Sequence, residues 1–218
     1  MIKTKNGNNQ QYPFHVLLEK ARLFKVKHDL SDDEFAEFQR IYEQELVGLK
    51  QLQTNNLRRL IGEEEAMKEG FVTSEYELSL LQKMHHIHPS IIVKEGEEVV
   101  GYTIVTNKAV FGDHLEIDHL FNTLDAIEYN GVFLKESNYI LIGQVCVAKS
   151  HRGQGWVPQM YEYYKQLHAK DYSFLVTDIS QANKRSVRMH NKIGFETIGV
   201  IEQVGTGWDI VLWDWNKI

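Results

Sequence analysis

Apolar and polar residues recur along this chain with two different periods, and the switches between them mark its elements. Residues 139–148, Tyr-Ile-Leu-Ile-Gly-Gln-Val-Cys-Val-Ala, form a nearly unbroken run rich in apolar and β-branched residues, which predicts a buried strand. The run breaks into a polar turn with two glycines, then Pro158. After it Met160, Tyr163 or Tyr164, and Leu167 recur at helical spacing. Upstream, residues 91–94 and 99–105 read as strands joined in a hairpin at Glu95-Gly96-Glu97-Glu98. Residues 113–129 carry Leu115, Leu120, Leu124 and Ile127 at helical period. Residues 172–179, 195–204 and 208–215 read as strands, the last two joined at Gly205-Thr206-Gly207.

The N-terminal quarter has a different texture. Residues 12–61 are charged and helix-favouring, with no proline after Pro13 and few β-branched residues. Leu30-Ser31-Asp32-Asp33-Glu34 is a start signal, with Ser31 as N-cap, Glu34 at the third helical position and Leu30 as half of a staple. Phe35, Phe38, Ile41 and Tyr42 then mark one face of a helix running towards Leu49. Residues 63–84 read as helix, interrupted at Gly70-Phe71-Val72-Thr73 and restarted by Ser74 as a new N-cap. No composition shift marks a flexible linker. The organisation expected is an N-terminal helical extension over 1–50, packed on a main domain over 51–218. The elements sketch a mixed α/β sheet with an antiparallel start, a parallel crossing in the middle and a terminal hairpin, of which the pattern alone justifies α/β.

Composition narrows the function classes. The 218 residues carry 24 Lys and Arg against 30 Asp and Glu, a formal charge of -6, with no basic run, which argues against a nucleic-acid surface. The lone cysteine, Cys146, excludes an intramolecular disulfide and fits a reducing compartment. Residues 1–11 are polar without the apolar core of a signal peptide, and no apolar run approaches the roughly 20 residues a membrane helix needs. The expectation is a cytoplasmic protein without membrane partners.

The candidate chemistry lies where the strand over 139–148 feeds a glycine-bearing loop and a helix N-terminus. Free backbone N–H groups collected there, together with the helix dipole, suit a phosphate or pyrophosphate. The nucleotide P-loop is excluded, because no Lys-Ser or Lys-Thr pair closes the turn. The dinucleotide fingerprint fails as well, since Gly153-Gln154-Gly155-Trp156-Val157-Pro158 puts proline at its third glycine place.

What the segment resembles is the acetyl-coenzyme A loop of the GNAT superfamily of N-acetyltransferases: Gln or Arg, two residues, Gly, one residue, then Gly or Ala, after a Val-x-Val-like strand. Arg152, Gly155 and Val157 occupy its three defined places, Val157 as a β-branched residue where a small one is usual. A second match follows about 30 residues on, where the stretch from Asn183 to the Lys192-Ile193-Gly194-Phe195 ending resembles the family's later helix. Asn183 is also a sound N-cap there, and Gly194 a sound C′ residue. The resemblance is specific from about Ser90 to Trp215. It implies the acyl-CoA N-acyltransferase fold and acetyl-coenzyme A as cosubstrate. The acetyl carbonyl would lie against the backbone of Val145, Cys146 and Val147, and the pyrophosphate in the loop of Arg152, Gly153, Gln154, Gly155, Trp156 and Val157. Asn183 and Ser186 would lie near the coenzyme. His190, where the family often has tyrosine, would be the acid for the leaving thiolate, with Asn183 and Ser186 on its helix face.

The reading is then an N-acetyltransferase acting on a small-molecule or peptide amine by direct attack in a ternary complex. Its rival is a catalytically inactive acyl-coenzyme A binding or sensing module, favoured by Trp156, Val157 and His190 at unusual places. A transferase for a longer acyl chain is a third. A homodimer stays open. Other clusters have plainer readings. Cys146 lacks an adjacent histidine and reads as an inert core thiol rather than a nucleophile. His85-His86-Ile87-His88 and Asp113-His114…Asp118-His119 show no recognised ligand spacing, so no metal is expected. Glu63-Glu64-Glu65 is a solvated helix face or an attraction for a cationic amine.

Overall fold

The computed structural model describes residues 32–203 and 205–217. Helix α1 (Asp32–Asn55) crosses the boundary expected at residue 50 without a break. The cap at Ser31 lies outside the described residues, as do the side chains of Phe35, Phe38, Ile41 and Tyr42. The C-terminal half of α1 sends Leu46, Leu49 and Leu52 into the core. It is pinned by a buried ion pair, Lys94 Nζ to Glu45 Oε1 at 3.3 Å. Next come α2 (Glu63–Glu69), α3 (Leu78–Ile87) and the hairpin of β1 (Ile91–Glu95) and β2 (Glu98–Thr106), with Glu95 opposite Glu98. Ser74 caps nothing. Residues before Leu78 stay extended because Tyr76 is drawn into the core, its hydroxyl donating to the Gly143 carbonyl at 2.8 Å, and α3 begins after Glu77.

Helix α4 (Leu115–Asp125) ends earlier than the periodicity suggests. Its stop is a two-residue hairpin, β3 (Glu128–Tyr129) with β4 (Val132–Phe133), turned by Asn130 and Gly131 at φ of 53° and 81°. Asn-Gly is the strongest short hairpin signal, and here it overrides the helical spacing of Ile127. There follow β5 (Tyr139–Val147), α5 (Trp156–His168), β6 (Phe174–Ser180), α6 (Lys184–Ile193), β7 (Glu196–Gln203) and β8 (Thr206–Asp214). On α5 it is Tyr164, with Trp156, Met160 and Tyr161, that is buried.

The main sheet has the order β1-β2-β5-β6-β8-β7, and only β5–β6 is parallel, as the crossover through α5 requires. α1, α3 and α4 cover one face and α5 and α6 the other, each over its own hydrophobic cluster. Among the described residues no helix is long and apolar enough to cross a membrane. One irregularity positions everything that follows. β5 pairs with β6 only from Tyr139↔Phe174 to Leu141↔Val176. Beyond that point β5 keeps β2 alone, with Gly143 as the extra residue between Ile142↔Val105 and Gln144↔Ile104. A bulge bends and twists its strand. β5 and β6 therefore part at their carboxyl ends and leave an opening.

Candidate active site

A cleft of about 530 Å³ occupies that opening. Val145, Cys146 and Val147 of β5 form one wall and the Gly153-to-Val157 loop its floor, with Asn183 and Ser186 of the α6 start across it. Every residue the sequence suggests for the coenzyme lines this cleft except Gln154, which turns its amide back to the Ser150 carbonyl at 3.4 Å. Gly153 and Gly155 have φ of 80° and 81°, a region that costs other residues energy. A Cβ at Gly153 would meet nothing within 4 Å, so backbone conformation rather than crowding calls for glycine there, and the loop leaves room for a ligand. The cleft meets the N-terminal end of α5, where first-turn amides lack intrahelical acceptors. Pro158 sits in that first turn, where its missing N–H costs nothing.

Arg152 is not a solvated loop arginine. Its side chain is 11 % exposed. Nε donates to the Val147 carbonyl at 2.9 Å, Nη1 to the Glu69 carbonyl at 3.0 Å and Nη2 to Asn56 Oδ1 at 2.6 Å. One guanidinium thus ties the end of β5 to the ends of α1 and α2. Asn183 ties the opposite wall: its Oδ1 accepts from the Ser186 amide at 3.2 Å as the N-cap, and its Nδ2 donates to the Phe71 carbonyl at 3.0 Å. Arg185, Arg188 and Lys192, spaced along one face of α6, also line the cleft, Arg185 paired with the Glu69 carboxylate at 3.3 Å. Glycine loop, helix start and cationic helix together fit a polyanionic ligand.

The acetyltransferase (GNAT) family profile matches residues 54–195, about two thirds of the chain. The chain belongs to the GNAT family of acetyltransferases. Solved structures share the fold. The NatC complex bound to Gag peptide and CoA aligns at TM-score 0.55 with 10% identity, over 94% of this chain and 99% of that one. YncA from Salmonella typhimurium, with its cofactor acetyl-CoA, aligns at 0.52 and 14%, over 81% and 91%. An N-acetyltransferase from Staphylococcus aureus Mu50 aligns at 0.51 and 16%, over 80% and 94%. No curated protein sequence matches the chain.

This GNAT protein has a second, smaller pocket of about 140 Å³ that shares Phe71, Val72, Val145, Asn183 and Ser186 with the cleft. Its polar lining includes Ser74, Tyr76, Glu116, Gln144, Asp178 and His190. Gln144 anchors one side through a buried network: it accepts from Gln53 Nε2 at 2.8 Å and Tyr102 Oη at 2.6 Å, and donates to the Ser74 carbonyl at 2.8 Å. Desolvation drives Tyr76 well above the ordinary phenol range. Burial, its largest cause, also lifts Asp178 to about 6, with Glu116 adding like charge. The sequence offered no pointer to Asp178 beyond a carboxylate in an apolar strand.

His190 faces the core, 1 % exposed. Its Nδ1 donates to the Ser186 carbonyl at 2.9 Å, Nε2 lies 2.9 Å from the Tyr161 hydroxyl, and burial lowers its pKa to about 4. A neutral ring whose one N–H is held by the Ser186 carbonyl and whose other nitrogen faces the Tyr161 hydroxyl is poorly placed to protonate a thiolate, so the acid role suggested by its place in the motif is not carried forward. The Cys146 thiol is 7 % exposed and pushed up to about 12 by burial, unsuited to attack. Among the described residues no group of three His, Cys, Asp or Glu is placed to hold a metal. His85 accepts from the Ser90 amide, and His88 meets the Tyr172 hydroxyl. Glu65 pairs with Lys149 at 2.9 Å beside the loop.

Proposed function

We propose that the chain transfers the acetyl group of acetyl-coenzyme A to an amine by direct attack in a ternary complex. One observation carries this reading: the large cleft and the small polar pocket meet at a common wall, where β5 and β6 part. Acetyl-coenzyme A would lie with its phosphates towards the glycine loop and the α6 cations and its thioester along the free side of β5. There backbone N–H groups can receive the carbonyl oxygen. Bound, it supplies the activated acetyl group. An amine head in the small pocket would then approach from the far side of the shared wall. The buried, protonated Cys146 gives no support to a covalent relay, so the amine itself is the nucleophile. Neighbours named as an N-acetyltransferase and as NatC with peptide and CoA accord with an amine acceptor, small-molecule or peptide.

The test has two readings. Acetyl-coenzyme A should raise the melting temperature by mass action. Free coenzyme A thiol should then accumulate when amines are added. Stabilisation without thiol release from any amine would instead favour a sensing module, and no stabilisation at millimolar coenzyme would refute both.

A further inference from the structure

Asp178 lies two residues past Val176, the last residue of β6 to pair with β5, and so stands where the two strands part. It lines the small pocket, which the acetyl-transfer reading, on which this inference rests, assigns to the acceptor. Asp178 is half-buried at the pocket wall, desolvation raises its carboxyl above the ordinary range, and Glu116 adds charge of the same sign. A carboxylate in that position is costly to the fold unless a cation joins it. Glu116 sits at the exposed rim, on the first turn of α4, and accepts a hydrogen bond from the Ser74 hydroxyl. At about 140 Å³ the pocket is well below the size that encloses a drug-sized ligand, and it suits a single small head group.

We infer that Asp178 is the base that deprotonates a primary alkylammonium acceptor, drawn into the small pocket past Glu116. One ammonium proton passes to the Asp178 carboxylate and on to solvent. The freed lone pair forms the C–N bond to the acetyl carbon, and the C–S bond breaks with its electron pair on sulfur. A second proton leaves the nitrogen and ends on the thiolate, giving the amide and free thiol. The titratable groups facing Asp178 are Glu116 from α4, Tyr76 from the segment before α3 and His190 from α6. Tyr76 stays protonated and His190 neutral between pH 5 and 9, so the acid limb is assigned to Asp178.

The test measures kcat/KM from pH 5 to 9 with butylamine, phenethylamine and a peptide with a free N-terminal alanine. Wild type should show an acid limb near pH 6. Asp178→Asn should lose that limb and turn over about 10²- to 10⁴-fold more slowly near pH 7, the range for general-base catalysis. Its residual rate should climb towards pH 9 with the free-amine fraction, acetyl-coenzyme A binding should be unchanged, and Asp178→Glu should recover part of the rate. An unchanged rate and profile in Asp178→Asn overturns the assignment, as does a parallel loss of coenzyme affinity. A turnover-free arm separates this claim from the transfer reading: millimolar butylammonium at pH 8 should raise the melting temperature of wild type but not of Asp178→Asn. If wild type binds acetyl-coenzyme A yet acetylates no probe, the transfer reading falls. The ammonium arm still decides Asp178, and equal shifts in the two proteins overturn it.

Discussion

Arg152→Ala is the sharpest test of how the cleft is held. The substitution removes three hydrogen bonds from one charged group, to the carbonyls of Val147 and Glu69 and to Asn56 Oδ1. Bonds to a charged partner contribute roughly 1.5–3 kcal/mol each when the partner is left buried. Two factors reduce the total here. Carbonyls at the cleft edge can be rehydrated once the side chain is gone, and the Glu69 carboxylate keeps Arg185 at 3.3 Å, so no buried charge is stranded. A net loss of about 2–4 kcal/mol remains, which for a chain of this size lowers the melting temperature by roughly 5–15 °C. Because Val147 ends the strand that would face the thioester, acetyl-coenzyme A affinity should fall in step. Arg152→Lys should recover little, since an ammonium cannot reproduce the planar three-way grip. Arg185→Ala is the control: a half-exposed ion pair should cost less than about 1 kcal/mol. Thermal melts of the three variants with and without coenzyme decide it. An Arg152→Ala protein that melts within a degree of wild type would refute the argument.

Three further outcomes follow from the same geometry. His190 is neutral in the fold with a pKa near 4 and charges on unfolding, so the stability tied to it is fully present above pH 6.5 and is lost as pH falls towards 4. His190→Gln should melt lower at pH 7, show a shallower acid slope in its melting profile, and keep near-normal turnover. A large fall in turnover at unchanged stability would return His190 to the chemistry. Asp178 has the opposite sign: a carboxyl raised to about 6 destabilises the fold as pH climbs through that value, by up to roughly 3 kcal/mol. Asp178→Asn should therefore melt above wild type at pH 8, with the gain shrinking towards pH 5, and an equal or larger gain at pH 5 would contradict the burial argument. Gly155→Val forces a β-branched residue to a φ of 81° and should cost about 1–3 kcal/mol while weakening acetyl-coenzyme A binding in calorimetry, and undiminished binding would show the loop is not the phosphate cradle.

The sequence by itself determined the features that depend on neighbours a few residues away. Asn183 as a cap, Gly194 in the left-handed region at the helix end and the Glu95-to-Glu98 hairpin are of this kind, because a cap or a turn is completed within four residues of chain. The parallel step between β5 and β6 was also legible, since an intervening amphipathic helix forces a crossover. Local signals failed where two competed: Asn130-Gly131 ended a helix that apolar spacing would have prolonged. The glycine loop could be found because a left-handed turn before a helix leaves a mark in composition. What fills the space around it could not. Arg152 reads as a solvated loop residue until Asn56 and Glu69, 96 and 83 residues away, arrive to receive it. Ser74 reads as a cap until Tyr76 is pulled beneath β5. Gln53 and Gln144, 91 residues apart, have no reason to be singled out until the fold makes them partners. His190 loses the acid role its place in the motif suggested, and Asp178, which the sequence did not single out, comes to line the small pocket, for the same reason. A titratable side chain's chemistry follows from its desolvation and from the charges around it, and both come from packing between elements distant in sequence. Tertiary structure alone decided that burial lowers the pKa of His190 and raises that of Asp178.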